Sequence, residues 1–162
     1  MNLVVRQAVA EDVGLLAALN EVVQKLHVDA EPGHFRAIAD QVEVEAFFAK
    51  LMRTPKTLIF IAELSSKAVG YIWSELQERP ATPFTHARQR LYIHHVAVKS
   101  EVRGSGVGTA LLQASEGEAR ALGVSEAAVD TWAFNVGAQR FFEAADFAPI
   151  NIVMRKKLPR ST

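Results

Sequence analysis

The chain has 162 residues, 49% of them hydrophobic, and its 18 basic and 18 acidic residues leave a formal net charge of zero. This length is enough for one domain, and the balanced charge argues against general binding to nucleic acid or to an anionic membrane. The absence of cysteine excludes disulfides, thiolate zinc sites and cysteine nucleophiles, and it is compatible with a reducing cytoplasm.

The first elements of the chain are predicted to be a strand and two helices. Residues 3–7 form a short β-rich run, and the stretch from Met1 to Arg6 lacks the apolar segment of a signal peptide. Apolar residues then recur with helical spacing between Val13 and Val23, and again between Val42 and Leu51. The polar stretch from His27 to His34 contains a Pro-Gly pair and is predicted to be a loop.

A β-hairpin is predicted after the second helix. Residues 57–64 and 68–76 are rich in β-branched and aromatic residues, and Ser65-Ser66-Lys67 separates them as a short turn. Residues 78–90 contain two prolines and are predicted to be a loop.

The second half of the chain alternates strands and helices. Strands are predicted over residues 91–98, 126–132 and 151–158, and helices over residues 106–122 and 135–145. A hairpin followed by a β-α-β unit predicts a single α/β domain over residues 1–158, with a mixed sheet and helices on its faces, and then a tail at 159–162. No run approaches membrane-spanning length, so we expect a soluble cytoplasmic protein.

The strongest chemical signal is the turn Arg103-Gly104-Ser105-Gly106-Val107-Gly108, which connects a predicted strand to a predicted helix. Three glycines at alternate positions remove side chains from the turn, so backbone N–H groups can approach a bulky anion at the positive end of the helix. The pattern therefore predicts a cradle for a diphosphate, next to the hydroxyl group of Thr109.

Three kinds of phosphate loop compete for this turn. A P-loop is excluded because no lysine precedes Thr109 in the required order. A dinucleotide-binding loop needs Gly-x-Gly-x-x-Gly, whereas these glycines are spaced Gly-x-Gly-x-Gly, although Asp130 near the end of the next strand keeps that alternative open. The third kind is the loop that binds the pyrophosphate of coenzyme A.

Two motifs resemble the GNAT superfamily of acyl-CoA-dependent N-acyltransferases. Arg103-x-x-Gly106-x-Gly108 is similar to the family's Q/R-x-x-G-x-G/A motif, and Val96-Ala97-Val98 falls where the family has its central strand. Asn135-x-x-Ala138-x-x-Phe141-Phe142, followed by Phe147, resembles the family's segment N-x-x-A-x-x-F-Y-x-x-x-G-F. The resemblance implies a GNAT-like fold with a mixed, mostly antiparallel sheet of six to seven strands and about four helices.

The resemblance also implies a site for acetyl-CoA. Backbone amides of the glycine turn would hold the pyrophosphate, and the preceding strand would pair with the pantetheine arm as it would with an added strand. Asn135 is already explained as the cap of its helix, and the resemblance implies that it reaches the coenzyme as well. The residues implied in cofactor contact are Val96, Val98, Arg103, Gly104, Ser105, Gly106, Val107, Gly108, Thr109, Asn135 and Phe142.

Two positions depart from the family pattern. At Phe142 many members have a tyrosine whose phenol donates to the leaving sulfur, and phenylalanine keeps the ring but lacks that donor. Asp146 stands where the family has a glycine, and aspartate tolerates a left-handed turn less well than glycine does.

Acyl transfer to an amine needs a base, because an amine with a pKa of about 10 is mostly protonated at pH 7. His94 is the predicted base, since histidine titrates in the useful range and some GNAT members carry an acidic base at this position. Tyr92 shares the strand face of His94 by alternation, while His95 points to the other face unless a bulge intervenes. Glu75 on the preceding strand is a second candidate, acting through water. The five histidines are scattered, so no metal site is predicted.

The sequence thus predicts an N-acetyltransferase that moves an acetyl group from acetyl-CoA to a primary amine of a small molecule or peptide by direct attack on the thioester. We expect the acceptor to enter over the first two helices and the loop at 78–90. The alternatives are a non-catalytic acyl-CoA-binding sensor or structural protein, because of Phe142, and a dinucleotide-binding oxidoreductase. Nucleic acid and membranes are not expected as partners, and the resemblance is compatible with a homodimer.

Overall fold

A computed structural model describes residues 2–37 and 40–160. Met1, at the start of the predicted domain, and Ser161 and Thr162, in the predicted tail, lie outside the described residues. The chain divides into two units, Met1–Asp130 and Thr131–Thr162. The expectation of one domain over residues 1–158 stays a prediction.

The first unit contains a mixed sheet with the strand order β1-β2-β3-β4-β5. The strands are β1 (Leu3–Gln7), β2 (Thr57–Leu64), β3 (Lys67–Arg79), β4 (Arg88–Val98) and β5 (Ala127–Val129). The first four strands pair antiparallel, and β4 pairs with β5 in parallel. The predicted mixed, mostly antiparallel sheet is confirmed. The predicted number of six to seven strands is wrong, because the described residues form five.

Four α-helices occur in the described residues, as predicted. They are α1 (Val13–Ala30), α2 (Gln41–Met52), α3 (Val107–Ala121) and, in the second unit, α4 (Val136–Ala144). Helices α1 and α2 cover one face of the sheet, and α3 covers the other face. Within the part of the chain that the structure describes, no helix is long and apolar enough to cross a membrane.

Burial of β2 shows the effect of helices on both faces. Its four central residues, 59–62, are all buried, as expected for a strand that is covered on both sides. The core cluster under α1 and α2 consists of Leu16, Leu19, Phe48, Ile59, Ile61, Tyr71 and Ala97. This cluster supports the stretch of β3 and β4 on which the candidate site lies.

The hairpin between β2 and β3 is confirmed. Its turn residues Ser65 and Ser66 have φ angles of 50° and 63°, the pattern of a type I′ turn. The adjacent loops are shorter than predicted. Strands β3 and β4 extend into the predicted loop at 78–90, where Arg90 Nε donates to Gln77 Oε1 over 3.1 Å across the pair.

Helix α1 also continues into the loop that was predicted at 27–34. It reaches Ala30, and the last turns are supported by an ion pair of 2.6 Å between Lys25 and Asp29. The Pro32-Gly33 pair lies beyond this helix end.

The second unit contains α4 and a C-terminal segment without regular secondary structure. Asp146 follows α4 with a φ of 66°, which confirms the left-handed turn expected there. The predicted strand at 151–158 is wrong, because residues 148–160 have no regular secondary structure. The side chains of Ile152, Val153 and Met154 are 80% to 91% exposed. A β-rich sequence forms a strand only beside a partner that completes its hydrogen bonds, and no described strand pairs with this segment.

Candidate active site

A β-bulge at His94 determines which side chains of β3 and β4 are in contact at the candidate site. Trp73 on β3 lies opposite His95. The next pair is Ser74 and Ile93, so β4 has one extra residue, His94. The Trp73 ring stacks on the His94 ring, with centroids 4.2 Å apart, and meets the His95 ring edge-on at 4.8 Å. The bulge that the sequence left open therefore exists, and it turns both histidines to the side of α1 and α2.

His94 and Glu75 form a partly buried pair on that side. His94 Nε2 lies 3.0 Å from Glu75 Oε2. The hydrogen bond from His94 is the main reason why the pKa of Glu75 lies below its usual range, so Glu75 is a carboxylate at neutral pH. When Nε2 donates to the carboxylate, His94 Nδ1 carries a lone pair. No group among the described residues donates to that atom.

Tyr92 lies next to this pair, with its ring centroid 4.8 Å from that of His94. Its hydroxyl donates to Asp130, and the guanidinium of Arg90 lies 4.9 Å from the centre of its ring. Burial, and then the hydrogen bond to Asp130, raise the pKa of Tyr92 to about 12. Tyr92 thus keeps its proton at neutral pH and directs it to a carboxylate.

The edge of β4 beyond β5 has no strand partner in the described residues. Strand β5 pairs only with residues 91–93, whereas β3 pairs with β4 as far as Val98. Val96 and Val98, the residues predicted to meet the pantetheine arm, lie on this stretch. Arg103 Nε donates to the carbonyl of Val98 over 3.2 Å. The carbonyl of Val98, which was predicted to meet the pantetheine arm, therefore already accepts a hydrogen bond from a side chain of the glycine turn.

The glycine turn is open on its outer side. Gly104 and Gly106 have φ angles of 78° and 85°, in the left-handed region that glycine adopts without steric cost. A Cβ at either position would meet no protein atom within 4 Å. Gly108 lies inside α3, so only two of the three glycines are required by the turn itself.

Backbone N–H groups at the start of α3 are available to a ligand. The first N–H that bonds back to the helix is that of Ala110, which donates to the carbonyl of Gly106 over 3.0 Å. In the described part of the chain, no partner is present for the N–H groups of Val107, Gly108 and Thr109. The hydroxyl of Ser105 donates to the carbonyl of Val102 over 2.6 Å, so it is used within the turn.

Asn135 and Phe142 lie in the second unit. Asn135 Oδ1 accepts a hydrogen bond of 3.1 Å from the N–H of Ala138, which confirms its role as the cap of α4. Phe142 is buried and meets Phe141 and Phe147 edge-on, with ring centroids 5.0 and 5.2 Å away. Both residues thus have structural roles, and their contacts with a coenzyme stay predictions.

A cleft of about 270 Å³ lies between α1 and α2 and reaches His95. His95 Nδ1 lies 2.9 Å from the hydroxyl of Tyr71, which in turn accepts from Asn20 Nδ2. The indole N–H of Trp73 is buried without a hydrogen-bond partner among the described residues. The sequence analysis did not select Asn20, Tyr71 or Trp73. These residues could be found only once the bulge had fixed the direction of His95, which the sequence left open.

Comparisons with known proteins extend over most of the chain. The acetyltransferase (GNAT) family matches residues 20–147. The uncharacterized N-acetyltransferase YycN of Bacillus subtilis (strain 168) is 26% identical over 108 residues, which are 66% of this chain and 65% of that protein. The match therefore spans slightly less than two thirds of the relative's length.

Solved structures share the whole fold. The tetramutant of the BH1408 protein from Bacillus halodurans has a TM-score of 0.88 at 23% identity and covers 96% of this chain and 99% of its own. A predicted acetyltransferase from Clostridium acetobutylicum, solved with acetyl-CoA, has a TM-score of 0.72 at 17% identity, with 96% of each chain covered. At these identities the likeness shows the fold.

Proposed function

Because this chain belongs to the acetyltransferase (GNAT) family, we propose that it transfers an acetyl group from acetyl-CoA to a primary amine by direct attack of the amine on the thioester. The observation that carries the proposal is the arrangement along β4. Among the described residues, the His94–Glu75 pair is followed by a stretch of β4 with no strand partner on one side and then by N–H groups of α3 with no acceptor. This order along the chain supports a coenzyme whose thioester lies near His94 and whose diphosphate lies at the start of α3.

The residues of the glycine turn fit a diphosphate. A diphosphate needs several N–H donors and space, and the start of α3 offers both, since a Cβ would meet nothing at Gly104 or Gly106. Residues 104–109 are proposed to hold the diphosphate, and the edge at Val96 and Val98 to pair with the pantetheine amides. Acetyl-CoA supplies the activated carbonyl and the thiolate leaving group.

His94 Nδ1 is proposed to take the proton of the amine, directly or through one water. Glu75 accepts the Nε2 proton and fixes the ring, as the carboxylate of a catalytic triad does for its histidine. The stacked ring of Trp73 holds the imidazole from its other side. Glu75 thus has a positioning role in this proposal, and His94 is the catalytic residue.

A non-catalytic acyl-CoA-binding protein is the second candidate, because neither Phe142 nor Tyr92 offers a free hydroxyl to protonate the leaving sulfur. Phe142 has no hydroxyl, and the hydroxyl of Tyr92 donates to Asp130. A thiol with a pKa of about 8.5 leaves as a thiolate without an acid catalyst, so this observation favours slow transfer as much as no transfer.

Thiol release and ligand binding test the proposal together. The protein is incubated with acetyl-CoA and a panel of primary amines, and free thiol is followed with a chromogenic disulfide. Calorimetry with coenzyme A and with NAD measures binding in parallel. We expect amine-dependent thiol release, with His94→Gln retaining coenzyme binding but losing most of the rate. Coenzyme binding with no release for any amine would support the sensor. Binding of NAD alone would indicate the dinucleotide alternative.

A further inference from the structure

A buried hydrogen-bond chain fixes the position of the proton on His95. Asn20 Nδ2 donates to the hydroxyl of Tyr71 over 2.9 Å, and this hydroxyl lies 2.9 Å from His95 Nδ1. Tyr71 is fully buried, and burial raises the pKa of its hydroxyl, which therefore keeps its proton. Because Asn20 already donates to the hydroxyl, the proton of Tyr71 is directed at His95 Nδ1.

The imidazole of His95 must then carry its own proton on Nε2. Burial lowers the pKa of His95 to about 4, so the ring is neutral at pH 7. The ring lines the cleft between α1 and α2, and no described residue is hydrogen-bonded to Nε2. His95 therefore offers an N–H donor to the cleft, whereas its basic nitrogen is occupied by Tyr71.

The lining of the cleft restricts what can meet this donor. Phe47 is partly exposed there, beside the buried Phe48. The charged residues of the lining are Arg36, Asp40 and Glu43, with Arg36 paired to Glu43 over 3.3 Å. Because this lining has two acidic side chains and one basic side chain, it attracts a ligand with an ammonium group and disfavours a ligand with a carboxylate. An uncharged oxygen, such as that of a hydroxyl group, is therefore the partner that we consider for His95 Nε2.

We infer that His95 determines acceptor specificity by donating from Nε2 to a hydroxyl oxygen of the substrate, so that the protein prefers hydroxylated primary amines to plain alkylamines. This inference rests on the proposed function, since it takes the acceptor that binds in the cleft to present its amine to His94, the neighbour of His95 in the chain. The volume of about 270 Å³ lies just below the usual range for drug-sized ligands, which indicates a small acceptor or one end of a larger one.

The tautomer of His95 is tested by NMR on 15N-labelled protein at pH 7, without substrate. Two-bond 1H–15N correlations distinguish the two neutral tautomers, and the His95→Gln spectrum assigns the ring. We expect a protonated Nε2 and an unprotonated Nδ1. Asn20 Nδ2 also lies 3.4 Å from His95 Nδ1, so we expect mixed tautomers only when both donors are removed, in Tyr71→Phe combined with Asn20→Leu. A proton on Nδ1, or on both nitrogens, would overturn the inference whether or not the protein is an enzyme.

Acceptor choice is tested with ω-amino alcohols of two to four carbons against n-alkylamines with the same number of heavy atoms. A buried hydrogen bond of this kind should favour the best amino alcohol about 10- to 100-fold in kcat/KM. His95→Gln, which keeps an N–H donor, should retain much of the preference, and His95→Met should remove it. His94→Gln is the control and should slow both classes by the same factor.

Equal kcat/KM for both classes, or an unchanged preference in His95→Met, would refute the specificity role. If acetyl-CoA binds but no amine is acetylated, the proposed function fails, and the inference is decided by titrating the amines into labelled protein. The amino alcohols alone should then shift the His95 Nε2 resonance. No shift, or an equal shift with the alkylamines, would overturn it.

Discussion

Gly106→Ala is expected to weaken coenzyme binding far more than Gly123→Ala, although the two substitutions should cost similar stability. The two glycines lie at opposite ends of α3 and have φ angles of 85° and 79°. A Cβ at either position would meet no protein atom within 4 Å. An L residue in the left-handed region costs about 1–2 kcal/mol, so both variants should lose that much of their free energy of unfolding.

The expected difference in coenzyme affinity follows from the N–H groups at the start of α3, which the other end of the helix lacks. Gly106 precedes the free N–H groups that are proposed to hold the diphosphate, and a Cβ there would project into the space left for it. A hydrogen bond to a charged group contributes about 1.5–3 kcal/mol, so the loss of one such bond weakens binding about 10- to 100-fold. Gly123 lies at the other end of the helix, and its substitution should leave the affinity unchanged.

Urea unfolding gives the stability of both variants, and calorimetry with acetyl-CoA gives their affinity. Equal affinity for the two variants would refute the assignment of the glycine turn to the diphosphate. A much larger loss of stability in Gly106→Ala than in Gly123→Ala would instead contradict the argument from backbone strain, because the two positions are matched in φ and in space.

Catalysis and stability give three further predictions. His94→Gln should lower kcat about 100-fold or more, with a smaller effect for Glu75→Gln, and an unchanged kcat would show that another group is the base. Asp12 accepts hydrogen bonds of 2.7 and 2.9 Å from Arg6, which is the main reason for its lowered pKa. Asp12→Asn should therefore cost about 2 kcal/mol at pH 7. The loss of unfolding free energy should be complete above 3.8, the ordinary pKa of an aspartate, and should shrink as the pH falls through the lower pKa of Asp12 in the folded protein. Urea unfolding of the protein and the variant at pH 7 and pH 3 measures this change. In Gly70→Ala the new Cβ would lie 2.6 Å from a carbonyl oxygen of β4, so the melting temperature should fall by at least several degrees.

Local signals explain which parts of the fold could be predicted from the sequence. The turn at Ser65–Ser66 and the glycine turn before α3 depend on residues that are adjacent in the chain, and both lie where they were predicted. The segment 151–158 has the composition of a strand, but a strand also needs a hydrogen-bonding neighbour, which composition does not encode. Helix and strand ends were missed by a few residues because pairs such as Arg90 and Gln77 extend them.

The candidate site was harder to predict because it depends on one bulge and on contacts between distant parts of the chain. Asn20, Tyr71 and His95 are separated by 51 and 24 positions, and their hydrogen bonds form only when the sheet and α1 are assembled. On a regular strand His94 and His95 would face opposite sides of the sheet. The extra residue turns both toward α1 and α2, which no local pattern indicates.

The partners of the two histidines then give them opposite chemistry. In the proposed tautomer of His94, the carboxylate of Glu75 accepts the proton of Nε2, and the other nitrogen, Nδ1, is a proton acceptor. In the inferred tautomer of His95, the phenol of Tyr71 donates to Nδ1, and the other nitrogen, Nε2, is a proton donor. In the proposed transfer to an amine, the first group removes a proton and the second orients the acceptor. The role of each histidine is therefore set by its partner, Glu75 for His94 and Tyr71 for His95, because both residues have the same side chain.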